Sequence, residues 1–302
     1  MLIPSEKVQA LANKSPKAAD ELLAVLRQAH FRGVIGVAEA TIWARTLALT
    51  VEQFALALVP LAERYAVAPV SGFQVGAVAV GSSGALYFGA NLEIAGQPLG
   101  HTVHAEQAAI ANAWTEGESG VRALAISSPP CGHCRQFLHE LATAARLGIL
   151  LPNRPSTTTT TKLADLLPDA FGPRDLGIEG GLMRPENHGL KVAQLLDGTA
   201  VAALAAANAS YSPYTSSFAG LALRTSDGTV CTGRYAENAA YNPSLSPLGA
   251  ALSQLVFRGL AFSSIVEAVL VEAGGPAAHA GAIEAALAGL CAVPLTVYKA
   301  AA

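Results

Sequence analysis

Residues 71–93, SGFQVGAVAVGSSGALYFGANLE, return in outline at 216–237 as SSFAGLALRTSDGTVCTGRYAE. Each stretch alternates in strand fashion, turns at Gly81–Gly84 or at Ser226–Gly228, and runs out again, which predicts a β-hairpin in each. Phe73 is matched by Phe218, Glu93 by Glu237 and PCGHC (130–134) by PAAHA (276–280), at offsets of 145, 144 and 146 residues. A spacing held over three landmarks makes the 302-residue chain two copies of one unit. With 52% hydrophobic and 14% charged residues, each copy has the material for a buried core. Strands alternating with helices give the fold class: α/β, two tandem α/β/α-type domains, each a mixed sheet covered by helices, with a small N-terminal helical segment. The expected divisions are 1–48 (helical, AADELLAVLRQAHF), 49–153 (first copy), 154–190 (linker, opening on RPSTTTTTK) and 191–302 (second copy).

Composition excludes some partners. A net charge of −3, with 19 Lys plus Arg spread thinly, supplies no basic stripe for a nucleic-acid backbone. MLIPSEKVQALANKS lacks the apolar core of a signal peptide, and no run approaches 18 apolar residues of spanning character. The expectation is a soluble cytoplasmic protein without membrane or nucleic-acid partners. Four cysteines suit a reducing compartment, where a close pair serves a metal or catalysis more often than a structural disulfide.

That pair is Cys131 and Cys134, in SSPPCGHCRQFLHEL. Three uses compete: a redox disulfide, half of a four-cysteine structural zinc site, or two ligands of a catalytic metal. The structural site needs a second close pair, and Cys231 and Cys291 stand far apart. The redox reading leaves the rest of the region unexplained. Upstream, His104-Ala-Glu106 opens a helix whose apolar face is Ala108, Ile110, Ala111 and Trp114 and which ends at Gly117. Pro130 starts a second helix, with Phe137, Leu138 and Leu141 at helical spacing and the two cysteines one turn apart. All three donors then lie at helix N-termini, where the dipole favours thiolates. One His and two Cys make a three-ligand zinc site with its fourth position open. Glu106, two residues past His104, reaches the open side and suits a proton carrier.

His-x-Glu followed by Pro-Cys-x-x-Cys is a known signature of zinc-dependent nucleobase deaminases. The chain resembles the cytidine deaminases, in their long two-repeat form, through FGANLE (88–93), TVHAEQ (102–107), PCGHCRQF (130–137), LPDAFGPRDL (167–176) and YAENAAYNPSLSPL (235–248). The resemblance implies hydrolytic deamination of cytidine and deoxycytidine in pyrimidine salvage, by a homodimer binding one zinc per chain in the first repeat. His104, Cys131 and Cys134 hold the metal. Glu106 takes a proton from water, protonates N3 as hydroxide attacks C4, and passes a proton to the departing ammonia. By the same resemblance Asn91 and Glu93 bind the ribose 3′-hydroxyl, Phe73 packs on the base, and the backbone of Ala105 reads the base edge. Phe171 reaches the base held by the partner subunit. Pro129 departs from the family pattern before Pro-Cys; it keeps the carbonyl that receives the amino group, in a stiffer loop.

In the second copy both cysteines are alanine, and PLGAAL (247–252) stands where His-Ala-Glu would recur, so that copy carries no chemistry. His133 recurs there as His279 and is read as structural, pointing away from the metal; His101 and His139 are read as surface or packing residues. Two other functions remain open from sequence: a deaminase of bases within nucleic acid, or a zinc-stabilised structural protein.

Overall fold

A computed structural model describes residues 20, 22, 24–25, 31–152, 160–194 and 197–301. In chain order these form β1 (Val34–Ile35), α1 (Val37–Thr46), α2 (Val51–Ala62), β2 (Gly76–Gly81), β3 (Leu86–Ala90), α3 (Ala105–Thr115), β4 (Val121–Ile126), α4 (Gly132–His139), β5 (Gly148–Leu150), β6 (Thr161–Lys162) and α5 (Leu163–Leu166). There follow α6 (Gly198–Asn208), β7 (Ala219–Thr225), β8 (Val230–Arg234), α7 (Pro247–Phe257), β9 (Ile265–Ala273), α8 (Ala280–Ala288) and β10 (Leu295–Ala300).

Among the described residues the strands make two sheets, ordered β1-β3-β2-β4-β5-β6 and β10-β9-β7-β8. Both predicted hairpins form, as β2–β3 and β7–β8, and each first strand also pairs antiparallel with the strand after the next helix. That strand is in turn parallel to the next strand in sequence, β4 to β5 and β9 to β10. Even the irregularities repeat: β2 slips register against β4 at Val80/Gly81, and β7 against β9 at Arg224/Thr225.

Burial on both faces explains why β2 reads GAVAVG without polar relief. Ala77 and Ala79 face a central core shared by the two repeats, while Val78 and Val80 face an outer core with Trp43, Phe54 and Phe88. The central core joins α3 to α7, through Ala108, Ile110, Leu252 and Leu255, between the two sheets. On the far side α6 covers the second sheet through Ala200, Ala203 and Ala207. One continuous apolar interior therefore runs through both copies.

Two glycines set how closely the central helices lie on the sheets. A Cβ on Gly89 would stand 2.0 Å from Ala105 O and 2.4 Å from Ala109 N; on Gly233 it would stand 1.9 Å from Pro247 O and 2.6 Å from Ala251 N. Backbone on both sides leaves no room for a methyl group. These contacts also fix the equivalence of the copies, placing Ser246-Pro247-Leu248 where His104-Ala105-Glu106 stands.

The expected match of Phe73 with Phe218 is corrected by the backbone. Phe73 N–H donates to Ser71 Oγ (3.0 Å), and the same bond in the second copy runs from Ser217 N–H to Thr215 Oγ1 (3.2 Å). Ser217 is thus the counterpart of Phe73, while Phe218 stacks on His188. The helical segment expected over 1–48 lies largely outside the described residues. Its described part includes α1 but also β1, paired antiparallel with β3. Within 154–190, Thr161–Lys162 forms the outer strand of the first sheet, against β5. Among the described residues no single helix is long and apolar enough to cross a membrane.

Candidate active site

The site forms where two chain segments leave the first sheet and start helices. After β3, Asn91–Glu93 runs alongside Val67 and Val103, so His104 arrives as the residue capping α3. Gln107 fixes that turn, its Oε1 accepting from His104 N–H (3.2 Å). After β4, Ser127 N–H donates to Gly76 O (3.0 Å), and the stiff Pro129-Pro130 pair delivers Cys131 as the cap of α4. Arg135 holds this second turn, donating from Nε to Pro130 O (2.8 Å) and from a terminal nitrogen to Leu166 O (2.9 Å). Both predicted helices form, and their N-termini meet.

One donor atom from each of His104, Cys131, His133 and Cys134 lies within 4.8 Å of the other three. His104 Nδ1 is 3.7 Å from Cys131 Sγ, close to the ~3.5 Å separation of N and S ligands around one tetrahedral zinc. The borderline-soft donor set of imidazole and thiol sulfur also suits zinc over magnesium or calcium. His133 does not point away, as the sequence reading had it. Its Nε2 is 3.3 Å from Asn242 O, and its Nδ1 is buried without a partner among the described residues.

A cavity of about 290 Å³ opens onto this cluster, lined by Phe73, Asn91, Glu93, His104, Glu106 and Cys131 together with Ser128 and Pro129. It lies near the lower end of the ~300–1,000 Å³ usual for small-molecule sites. His133 lines a different, smaller cavity, on the side facing Gln107, Asn242 and Ser244. The accessible side of the cluster is therefore the Glu106 side. Glu106 is only 4% exposed, and burial pushes its carboxyl up. Burial also pushes the Cys134 thiol up, and burial with the neighbouring His133 pushes His104 down. A neutral His104 imidazole can ligate as it stands; the thiols ionise when a cation supplies the opposing charge.

A family model described as the cytidine and deoxycytidylate deaminase zinc-binding region matches residues 49–148, and a second of the same description matches 163–282. A cytidine deaminase of Photobacterium profundum is 43% identical over 265 residues, 88% of this chain and 88% of that one. Cytidine deaminases of Vibrio cholerae are 50% identical over 233 residues, 77% of each chain. The chain belongs to the cytidine deaminase family. A crystal structure of the Burkholderia pseudomallei cytidine deaminase, 33% identical, covers 39% of this chain and 97% of that one at a TM-score of 0.35. Zinc is the cofactor of cytidine deaminases, and the His and Cys donors above fit it.

The cytidine deaminase resemblance assigned further residues, which the fold distributes unevenly. Asn91 latches the cavity rim: its Nδ2 donates to Phe73 O (2.9 Å), and its Oδ1 accepts from Val75 N–H (2.8 Å). Glu93 is already engaged by its own loop, accepting from Val70 N–H (2.9 Å), Ser71 N–H (3.0 Å) and Ser71 Oγ (2.5 Å). Phe73 stands on the rim, 60% exposed, and Ala105 and Pro129 line the wall. Phe171 is not on this wall; it is 46% exposed, and its carbonyl accepts from Gln136 Nε2 (2.8 Å). His101 is half-buried and lines the smaller cavity with His133. In the second repeat, Ser246, Leu248 and Ala277 replace His104, Glu106 and Cys131. Sequence reasoning missed the contribution of that repeat to the site: Gln107 Nε2 donates to Pro243 O (3.2 Å), beside the Asn242 contact with His133. The signal available was the family resemblance of YAENAAYNPSLSPL, the stretch that contains Asn242 and Pro243.

Proposed function

We propose that this protein hydrolyses the exocyclic amine of cytidine and deoxycytidine, giving uridine or deoxyuridine and ammonia. His104, Cys131 and Cys134 hold the zinc. When bound, zinc supplies the Lewis acidity that brings the pKa of water to about 7. The observation that carries this reading is the placement of Glu106: a buried carboxyl beside the donor cluster, at the accessible cavity and outside the ligand set.

Glu106 takes a proton from the attacking water and delivers it to N3 of the base, which draws electron density from C4. A second transfer through Glu106 reaches the departing amine. The Ala105 backbone meets the base edge, and the Pro129 carbonyl accepts from the amino group. Asn91 and Glu93 bind the sugar 3′-hydroxyl; the Glu93 oxygens retain lone pairs beyond those its loop uses. Phe73 covers the base. The enzyme works as a cytoplasmic homodimer in which Phe171 reaches the base bound by the partner, and the exposed Phe73 and Phe171 rings offer apolar surface for a second copy to cover.

The test is purified protein mixed separately with cytidine, deoxycytidine and a single-stranded oligonucleotide containing cytosine, with ammonia release measured. Turnover of the free nucleosides alone supports the proposal. Turnover of the oligonucleotide alone overturns it.

A further inference from the structure

Glu140 is fully buried at the C-terminal end of α4, six residues past Cys134. Among the described residues its carboxylate faces no cation, and every donor it meets comes from the other repeat. Oε1 accepts from Tyr211 Oη (2.8 Å) and Tyr214 Oη (2.5 Å), and Oε2 accepts from Ala239 N–H (2.9 Å). Burial and the carboxylate charge both push the two phenols up, so they remain donors at neutral pH. A buried carboxylate is costly unless its lone pairs are filled, and three donors from one neighbouring unit fill them.

The same neighbour grips α4 again one turn back. Asn238 Nδ2 donates to Gln136 O (3.0 Å), and Asn238 Oδ1 is itself held by Ala240 N–H (3.0 Å). Farther along, Pro243 O meets Gln107 of α3 and Asn242 O meets His133. One segment, 238–243, therefore touches both helices whose N-termini bear the donor cluster. An eight-residue helix is too short to bend, so fixing its C-terminal end fixes the direction of its N-terminal end.

We propose that Glu140 is a positioning residue for the metal site, tying α4, and with it Cys131 and Cys134, to the second repeat. The repeat that has lost its ligands thereby completes the catalytic centre of the other. This rests on the ligand assignment above.

Glu140→Gln tests it. The amide keeps the volume, but it cannot accept from Ala239 N–H and from both phenols together. Wild type and variant are loaded with cobalt(II) for visible spectroscopy, and zinc release to a chelator is followed in the zinc-loaded forms. The expected result is a folded variant with altered cobalt bands, zinc release about tenfold or more faster, and a lower kcat with a smaller change in KM. Tyr214→Phe removes one bond only and gives the same changes at smaller size; it serves alone if Glu140→Gln does not fold. Unchanged bands and release rate in folded variants, even with a lowered Tm, overturn the proposal. A wild type without thiolate–cobalt bands contradicts the ligand assignment instead.

Discussion

Glu93 and Glu237, 144 residues apart, hold the same three kinds of donor. Glu93 accepts from Val70 and Ser71 N–H and the Ser71 hydroxyl; Glu237 accepts from Tyr214 N–H (2.8 Å), Thr215 N–H (3.2 Å) and the Thr215 hydroxyl (2.6 Å). A carboxylate kept in a repeat that lacks the matching His, Glu and Cys has a job in the fold, namely closing the loop before the hairpin. At position 93 the loop so closed forms the cavity rim.

Alanine at either position therefore removes three part-buried hydrogen bonds to a carboxylate and destabilises the protein, by about 1–3 kcal/mol. The two differ in kinetics. Glu93→Ala raises KM for cytidine at least tenfold, whereas Glu237→Ala leaves KM within about twofold. Thermal melts and steady-state kinetics on both variants check this.

Gly89→Ala drives a methyl group into the Ala105 carbonyl and lifts α3 from the sheet, taking His104 and Glu106 with it. Overpacking of this kind costs about 1–3 kcal/mol. Gly233→Ala imposes the same clash on α7. Both variants melt lower, but Gly89→Ala loses more of its turnover at a temperature where both remain folded.

Ser216 sits at φ 55°, where the first repeat places Gly72 at φ 65°. An L side chain in this region costs about 1–2 kcal/mol, partly offset by the chain entropy glycine loses on folding. Ser216 is exposed, and its replacement removes no buried contact. Ser216→Gly raises stability by about 0.5–1 kcal/mol in chemical denaturation, with activity unchanged.

Removing the metal with a chelator stops turnover while leaving a cooperative thermal transition. The central core of α3, α7 and both sheets does not run through the donor cluster, unlike a zinc finger, whose core is its metal. Circular dichroism of chelated protein shows native helix content, and added zinc restores activity.

The two helix starts that meet at the site were readable from sequence because His104 and Glu106, and Cys131 and Cys134, lie within two short segments announced by local pattern, whereas the place of His133 in the cluster was not. The hairpins were readable for the same reason, through alternation and glycine-containing turns. What escaped depends on pairing between distant segments. Val34–Ile35 is a strand only because β3 lies beside it, and Thr161–Lys162 only because of β5. Phe73 was aligned with Phe218 by residue type, whereas backbone hydrogen bonds select Ser217. Nothing in its local sequence marks Glu140, whose donors lie 71 to 99 positions away.

The most direct test of the catalytic assignment is zinc content and cytidine turnover measured on the same preparations of wild type and Glu106→Ala. About one zinc per chain is expected in both, with turnover in the variant reduced by about 10²-fold or more. A variant that keeps its zinc and stays within about tenfold of wild-type turnover contradicts the role of Glu106 as proton carrier.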